Sequence, residues 1–536
     1  MKADLILTNG NIWTVDKNQP RAEALAISGN KIIFVGSSSE VRKWSGKETR
    51  MIDIRGHLVL PGFNDCHTHF INAALRFASN LDLYGVTDIR EIQLRLKRFS
   101  EEHPDHDWLH GMRWFPTRIN HGIWPSRADL DAVESKRPVA IFDIDGHSCW
   151  TNTAAIERMG YNASTPNPEG GEILRETDGF PSGIFFEVAQ EAFGRFPVVS
   201  VEQFPNVLQE DIARWNGLGI TSVSNNGIAP EYLDAIEMMD RQNILNLRIS
   251  EWPMILEGLD KAAALRERFA NSEKFRVHTV KIYMDGVSSN YSAWMLDSYA
   301  DKPGETGYPV IDLETLEPLI VEADRMGFQV ATHAVGTRAV RTMLDMYEKA
   351  AQVNGKRDAR HRVEHVENSH PDDRKRFAEL GVISSMTPVH CTADLEGYYI
   401  SRLGDNGHLG FAWKSFLDNG VHLSFGTDWP AVDLKEPSPL KQIFGAVTRC
   451  TPQNYGKLNW HRDQCISVED AIRSYTLEGA YAEKMEHAKG SLTAGKLADL
   501  IVLSENILET PPETLLDTRV LMTIFDGRIV HDLEAF

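Results

Sequence analysis

The chain has 536 residues, of which 42% are hydrophobic and 25% charged, a composition typical of a folded globular protein. Its formal net charge of −20, without a long basic run, argues against nucleic acid and anionic membranes as partners. The length exceeds that of one ordinary domain and suits a large barrel with a smaller companion.

The sequence shows no signal-peptide-like or membrane-spanning segment. Asp4 interrupts the apolar start of the chain, and no stretch of about 18 apolar residues occurs. The five cysteines are scattered and form no Cys-x-x-Cys pair. This pattern is typical of a reducing compartment, so we expect a cytoplasmic protein.

Both ends of the chain are rich in short strand-like segments. These lie at residues 5–8, 11–15, 24–27, 31–35, 498–503 and 520–525. Asn9-Gly10 predicts a tight hairpin between the first two segments, the turn at 28–30 predicts a second, and Asp526-Gly527 predicts a third near the C-terminus. We therefore predict one small β-sandwich domain composed of residues 1–60 and 490–536.

The middle of the chain alternates strand-like and helix-like segments, which predicts an α/β fold with a parallel sheet. The predicted strands lie at residues 56–60, 220–224, 247–250, 279–284, 328–333, 361–365, 382–386 and 421–425. Eight strands are the number of a closed (β/α)8 TIM-type barrel, here predicted over residues 61–489. The long interval after strand one predicts a large insertion at about 80–205.

Several chemically versatile residues fall at the same end of this predicted barrel, where the active sites of such barrels lie. They are His67, His69, Lys281, His333, His365 and Asp428. If the first strand continues into the His-x-His motif, His67 and His69 point to the same side. A single strand-end histidine is usually a hydrogen-bonded loop residue, and Asp428 could be a turn or helix-capping residue. Because all six coincide at one end, we favour a metal site.

The order of these residues resembles the amidohydrolase superfamily, and the local motifs resemble its amidohydrolase-3 branch, which includes N-substituted formamide deformylase-like proteins. The motifs are LPGFNDCHTH (60–69), DGHSCWTN (145–152), KIYMDG (281–286), HAVG (333–336), RVEH (362–365) and GTDWP (426–430). The resemblance covers essentially the whole chain, including the split β domain and the insertion.

The resemblance implies two divalent metal ions, and the imidazole and carboxylate ligands favour zinc. It implies that His67, His69 and Asp428 bind one ion. It implies a second ion on His333 and His365. Asp65 is not needed as a ligand in this arrangement.

Lys281 is implied to be an N6-carboxylysine that bridges the two ions. As a carbamate, it would avoid the cost of a buried ammonium group and balance the charge of the metals. The ions are expected to lower the pKa of a bound water toward about 7. Asp428 would act as the general base that takes the proton of this water and passes it to the leaving amine.

The resemblance therefore implies a metal-dependent amidohydrolase that cleaves a non-peptide C–N bond of a small molecule, such as an N-formyl or N-acyl amine. His147, Trp150 and Trp429 are predicted near the barrel mouth and favour an apolar or aromatic substrate group. We expect a small-molecule amide as the partner, and a homodimer as the oligomeric state.

Three alternatives remain at this stage. A deaminase of the superfamily would carry Glu three residues after the strand-five histidine, where this chain has Gly336. A cyclic-amide hydrolase would use the same ligands. A non-catalytic scaffold, as in dihydropyrimidinase-like structural proteins, would be expected to lose ligands that this chain keeps.

Overall fold

The computed structural model describes residues 2–116, 118–119, 123–144, 146–194, 199–393, 398–534 and 536. The chain is divided into two compact units. The barrel unit comprises Met1–His69, Gln209–Asp428 and Glu436–Phe536, and the insertion unit comprises Phe70–Leu208 and Trp429–Lys435. Within the described residues, we find no helix of sufficient length and apolar character to cross a membrane.

The N-terminal segment contributes short strands to two sheets. In chain order they are β1 (Leu5–Thr8), β2 (Asn11–Trp13), β3 (Arg21–Ala22), β4 (Ala24–Ser28), β5 (Lys31–Gly36), β6 (Arg50–Asp53) and β7 (Leu58–Pro61). The next strand, β8 (Phe63–Thr68), carries the His-x-His motif and is buried throughout.

The insertion unit contains a mixed sheet with helices packed beside it. Its elements are α1 (Phe70–Ser79), β9 (Leu81–Asp82), α2 (Ile89–Glu102), β10 (Leu109–Trp114), α3 (Arg127–Asp131), β11 (Val139–Asp143), β12 (Ser148–Thr151), α4 (Thr153–Arg158), β13 (Gly171–Arg175) and β14 (Pro181–Glu187), followed by α5 (Phe204–Gly217), which leads back to the barrel. The sheet order is β13-β14-β12-β11-β10-β9. Buried aromatic and aliphatic side chains give this unit a hydrophobic core of its own.

The barrel alternates strands with helices. Its strands are β15 (Ile220–Asn225), β16 (Arg248–Glu251), β17 (Phe275–Arg276), β18 (Thr279–Tyr283), β19 (Gln329–Ala334), β20 (Arg362–His365), β21 (Ile383–Met386) and β22 (Leu423–Phe425). Its helices are α6 (Leu233–Arg241), α7 (Leu259–Arg268), α8 (Leu313–Arg325), α9 (Thr337–Asn354), α10 (Pro371–Leu380), α11 (Pro388–Ala393), α12 (Ile400–Leu403), α13 (Trp413–Asp418), α14 (Pro439–Thr448), α15 (Val468–Ser474) and α16 (Leu477–Ala482).

Two parallel arcs form this TIM-barrel-like α/β fold. One arc has the order β17-β16-β15-β8 and the other β18-β19-β20-β21-β22. The arcs meet where the backbone N–H of Lys281 donates to the carbonyl of Pro253 (3.0 Å) and where that of Asp428 donates to the carbonyl of His67 (2.7 Å). The C-terminal ends of the strands from both arcs therefore face a common region.

The C-terminal segment adds β23 (Leu500–Leu503), α17 (Thr514–Asp517), β24 (Val520–Phe525) and β25 (Arg528–Asp532). These strands extend the order β25-β24-β23-β7-β2-β3, while β5-β4-β1-β6 form a separate sheet. Buried aliphatic side chains from both sheets share one hydrophobic cluster. The domain boundaries at residues 60 and 490 stay a prediction, because the compact units divide the chain at other positions.

The predicted hairpin at Asn9-Gly10 is wrong. β1 pairs with β4 and β6, whereas β2 pairs with β3 and β7 in the other sheet. Because both edges of β1 are occupied and its side chains are all buried, the chain leaves the sheet at Asn9 instead of folding back. The other two predicted hairpins are confirmed by the antiparallel pairs β4–β5 and β24–β25.

The predicted first barrel strand is also corrected. β7 pairs with β2 and β23 in the terminal sheet, and the barrel strand is β8, which pairs with β15. Gly62 separates the two strands at a tight contact, since a Cβ atom there would lie 2.3 Å from Oγ1 of Thr221. A side chain at this position would therefore prevent the chain from passing from one sheet into the barrel.

Glu251, at the end of β16, is a fully buried carboxyl group whose ionisation affects the stability of the fold. Burial raises the pKa of Glu251 to about 8, although Asn225 donates a hydrogen bond to it at 2.6 Å. A raised pKa means that its contribution to stability is full below its unfolded pKa and is lost as the pH rises through about 8. Glutamine cannot ionise, so the free energy of unfolding of Glu251→Gln should not fall in this way. We expect the stability of Glu251→Gln relative to the wild type to increase by about 1 kcal/mol or more when the pH is raised from about 5 to about 9. Thermal unfolding at both pH values measures this, and a pH-independent difference would contradict it.

Candidate metal centre

The structure brings the six predicted ligands together within the barrel unit. His67 lies in β8 and His69 follows it directly, and Lys281, His333 and His365 lie in β18, β19 and β20. Asp428 follows β22 by three residues. Their roles as metal ligands stay a prediction, which the geometry below supports.

Asp428 lies at the middle of the cluster. Its Oδ1 is 3.5 Å from Nε2 of His67 and 3.5 Å from Nε2 of His69. Its Oδ2 is 3.8 Å from Nδ1 of His365. Within the described part of the chain, the buried Oδ1 has no hydrogen-bond partner. Ligands of one tetrahedral zinc ion are separated by about 3.4 Å, so each of these imidazole nitrogens lies at a distance from Oδ1 that suits two ligands of one divalent ion.

The backbone at the two central ligands is strained. His365 has a φ of 72° and Asp428 a φ of 54°, both in the left-handed region that non-glycine residues rarely adopt. Such conformations cost of order 1–3 kcal/mol and cluster at active sites and ligand clamps. The strain is consistent with a functional role and not with a simple helix cap at Asp428.

Lys281 and His333 complete the cluster. Nζ of Lys281 is 3.3 Å from Nε2 of His67 and lies over the ring of Tyr283. Burial lowers the pKa of Lys281 to about 8. The ring of His333 lies 4.5 Å from that of His365, and its Nε2 is 3.1 Å from the carbonyl oxygen of Gly286. A hydrogen bond from Nε2 to this carbonyl would leave Nδ1 of His333 as the atom that can bind a metal.

Glu364, to which the sequence analysis assigned no role, orients His67. Its Oε2 lies 2.7 Å from Nδ1 of His67, and its Oε1 accepts a hydrogen bond from Arg362 at 2.7 Å. Burial alone would raise the pKa of Glu364, but Arg362 and His67 hold it at about 2. The carboxylate therefore accepts a hydrogen bond from the Nδ1–H of His67 and leaves the lone pair of Nε2 facing the centre, as in carboxylate–histidine–metal arrangements.

Two further buried carboxylates hold the loops that carry the ligands. Asp65 accepts hydrogen bonds from the backbone N–H and the hydroxyl of Thr427, at 2.9 and 2.5 Å. Asp285 accepts from the backbone N–H groups of Val335 and Gly336, at 2.9 and 2.8 Å. Burial raises the pKa of each carboxyl to about 7. Asp65 thus anchors the segment leading to Asp428, in agreement with its exclusion from the predicted ligand set.

A second group of potential ligands was missed by sequence reasoning. His365, Glu367 and His390 place ligand atoms within 4.8 Å of one another. Glu367 lies two residues beyond β20, and His390 lies in α11, four residues after β21. The rule that reactive residues follow barrel strands would have selected both, but their local sequence forms no recognised metal motif.

The predicted substrate-binding residues lie in the insertion unit. Nδ1 of His147 is 2.8 Å from Glu187. Trp150 is fully buried in the core of the unit and its indole N–H donates to the carbonyl of Ser126. Trp429 is also fully buried. It stacks on Phe77, with the Arg113 guanidinium over its ring. The substrate-binding roles of His147, Trp150 and Trp429 stay predictions. Asp145 of the same motif lies outside the described residues.

Gly426 controls how closely β22 approaches β8. A Cβ atom at this position would lie 2.5 Å from the backbone nitrogen of His67. We expect Gly426→Ala to lower the free energy of unfolding by about 1–3 kcal/mol and to weaken metal binding, because the strand ends must separate. Chemical denaturation and metal titration measure the two effects.

The matched control is Gly445→Ala, in the interior of α14. Its nearest neighbours would lie at an ordinary 3.5 Å, so we expect unchanged or slightly higher stability. Equal stability of the two variants would contradict the close approach at Gly426.

Comparison with known proteins identifies the family of the chain. The sequence model of the Amidohydrolase family matches residues 50–531. The chain is 31% identical to Protein LONG AFTER FAR-RED 3 of Arabidopsis thaliana, over 94% of this chain and 88% of that protein. It is 26% identical to the N-substituted formamide deformylase of Arthrobacter pascens, over 99% of this chain and 98% of that enzyme. The crystal structure of an uncharacterized metal-dependent hydrolase from Pyrococcus horikoshii OT3 covers 95% of this chain and 99% of its own, with 25% identity and a TM-score of 0.76. The chain therefore belongs to the amidohydrolase family, as a metal-dependent hydrolase of the amidohydrolase superfamily.

Proposed function

We propose that the protein hydrolyses a non-peptide C–N amide bond in a small molecule, such as an N-formyl or N-acyl amine. The observation that carries the proposal is the buried Asp428 carboxylate, with Oδ1 facing Nε2 of both His67 and His69 at 3.5 Å and Oδ2 facing His365. Similarity to a formamide deformylase over 99% of the chain supports this substrate class. We retain a cytoplasmic location and a homodimer as parts of the proposal.

We propose that two divalent ions are held by the six clustered residues His67, His69, Lys281, His333, His365 and Asp428. Zinc is the preferred ion, because imidazole and carboxylate ligands suit it. When bound, such ions supply Lewis-acid polarisation of a carbonyl and a nucleophilic water at neutral pH. The remaining chemistry belongs to the side chains. Asp428 accepts the proton of the attacking water at a carboxylate oxygen and passes it to the leaving nitrogen. Glu364 keeps His67 in the required tautomer.

Carboxylation of Lys281 is part of this proposal. Burial lowers the pKa of Lys281 to about 8, so about a tenth of the amine is neutral and nucleophilic at pH 7. The amine nitrogen would form a bond to the carbon of CO2 and lose one proton. The resulting carbamate is an anionic oxygen ligand in place of a buried ammonium, which lowers the cost of burial.

Deamination is disfavoured by the geometry at Gly336. A Cβ atom at this position would lie 2.1 Å from the carbonyl oxygen of Trp294. The glutamate that deaminases carry here could not be accommodated without moving the backbone that follows His333. Hydrolysis of cyclic amides is compatible with the same ligands. A non-catalytic scaffold would not need the complete ligand cluster.

A substrate panel tests the proposal directly. Metal-loaded protein is incubated with N-formyl and N-acyl amines, with cyclic amides and with aminated heterocycles. Primary-amine release from the first class is the expected result, and ammonia release from the third class alone would indicate a deaminase. Protein depleted of metal by a chelator serves as the control, and equal amine release from this control would contradict the metal-dependent mechanism.

A further inference from the structure

We propose that a cavity beside the starts of β16, β17 and β18 binds a small monatomic anion, such as chloride, through Arg276 and His278. The cavity belongs to the barrel unit and is lined by residues outside the proposed metal ligand set. The inference therefore goes beyond the proposed function and does not depend on it.

The size of the cavity limits the kind of ligand. Its volume is about 10 Å³, which is the space of about one water-sized particle. A polyatomic anion such as sulfate is larger than this space, whereas a monatomic ion is close to it. The side chains of Ile249 and Met485 contribute apolar parts of the wall.

Cationic side chains outnumber carboxylates around the cavity. The lining contains the cations Arg248, Lys274, Arg276 and Lys489 and the carboxylates Glu273 and Glu483. Three of the four cations have a carboxylate partner. Arg248 pairs with Asp499 at 2.7 Å, Lys274 with Asp526 at 3.5 Å, and Lys489 with Glu483 at 2.6 Å.

Arg276 differs from the other three cations. Its guanidinium donates to the backbone carbonyl of Glu483 at 3.4 Å, and among the described residues it forms no ion pair with a carboxylate. Arg276 is half-buried at the end of β17. A half-buried guanidinium retains its charge and several N–H donors, so it can hold an anion in the cavity.

His278 supplies the second contact. Within the described part of the chain, both of its buried ring nitrogens are without a hydrogen-bond partner, although buried polar atoms normally have one. Burial places the pKa of His278 well below its usual range, and the nearby cations Arg276, Lys484, Arg362 and Lys489 lower this pKa further. The ring is therefore neutral with one N–H to donate, in a positive field that favours an anion over water.

Arg276 and His278 are placed to act together by their spacing. Arg276 ends β17, His278 directly precedes β18, and both line the same cavity. Val277 between them is buried. Two N–H donors beside apolar walls suit chloride, because a large monovalent ion loses less hydration energy on burial than a small or multiply charged one.

Bromide diffraction tests the site directly, because bromide is similar to chloride in size and has a strong anomalous signal. Crystals of the wild-type protein are soaked in sodium bromide and, as a reference, in sodium gluconate. We expect an anomalous peak in the cavity, in contact with the side chains of Arg276 and His278. A cavity that contains only water in the bromide-soaked crystals would overturn the inference.

Thermal unfolding tests binding in solution. Wild type, Arg276→Gln and Arg266→Gln are compared in sodium chloride and in sodium gluconate at equal ionic strength. A ligand that binds only the folded state stabilises it, so we expect chloride to raise the wild-type melting temperature by about 1 °C or more relative to gluconate. We expect this difference to be lost in Arg276→Gln and retained in Arg266→Gln.

Arg266 is the matched control because its guanidinium is also half-buried and donates to a backbone carbonyl, that of Met326 at 3.1 Å. An equally large chloride effect in Arg276→Gln, or no chloride effect in the wild type, would overturn the inference. If Arg276→Gln does not fold, the bromide experiment on the wild type decides. Both measurements are independent of catalysis and metal content, so their failure would leave the proposed function standing.

Discussion

Asp428→Asn is expected to lower kcat by at least about 10²-fold, because the variant loses the group that accepts and returns a proton. Burial alone would raise the pKa of the Asp428 carboxyl, but the imidazoles of His67 and His69 hold this pKa below its usual range. The wild-type carboxylate is therefore ionised throughout the neutral range. The measurement is steady-state turnover at saturating free Zn²⁺, so that weaker metal binding does not account for the loss.

Asp418→Asn is the matched control. Asp418 lies at the end of α13 and forms an exposed ion pair with Lys414. Exposed pairs contribute about 0–1 kcal/mol, so we expect wild-type turnover and nearly wild-type stability. Unchanged turnover in Asp428→Asn would remove the assigned role of Asp428.

Lys281→Ala and Lys281→Arg are both expected to reduce turnover by about 10²-fold or more and to weaken metal binding, because neither can form a carbamate ligand. The pair of variants separates two possible roles of the lysine. Arginine preserves a positive charge beside His67 and over the ring of Tyr283, whereas alanine removes it. Turnover and metal content of both variants are measured beside the wild type.

Chemical rescue sharpens this comparison. Alanine at position 281 leaves space beside Nε2 of His67, from which Nζ of Lys281 is 3.3 Å distant. We expect acetate or propionate to restore part of the activity of Lys281→Ala and none of that of Lys281→Arg. Substantial turnover in Lys281→Arg would instead assign a cationic role to the lysine and contradict its carboxylation.

The sequence predicted the barrel because strand-like segments alternate with helix-like segments through the middle of the chain. Strands such as β15 and β19 are buried on both faces although they mix apolar with polar side chains, so their limits follow mainly from the turns between the elements. The rule that active-site residues follow barrel strands then selected the six clustered residues. Local sequence and general topology were sufficient for this part of the site.

Strand partners at the N-terminus could not be predicted in the same way. Asn9-Gly10 is a favourable hairpin turn, but partner choice depends on tertiary packing, and both edges of β1 pair with more distant strands. Similarly, the sequence suggested that the strand at 56–60 continues into the His-x-His motif, whereas β7 and β8 are separate strands. Their pairing partners place them in different sheets, with a close contact to Thr221 at Gly62 between them.

Residues that act through other residues were also beyond local sequence reasoning. Glu364 was visible in the motif before His365, but its contact with His67 joins β20 to β8 across 297 positions of the chain. His390 and Glu367 come together through the same barrel closure. Trp150, in a motif that looks like a loop in the sequence, lies in strand β12 and in a hydrophobic core, and its predicted contact with substrate stays a prediction.

We propose that this barrel holds a binuclear centre bridged by a carboxylated lysine. Metal analysis combined with intact and peptide mass measurement of the purified protein tests this proposal. We predict two divalent ions per chain and an added CO2 on the peptide containing Lys281. A single ion with an unmodified Lys281 would contradict the binuclear centre, and the absence of any stoichiometric ion would contradict the metal-dependent mechanism as a whole.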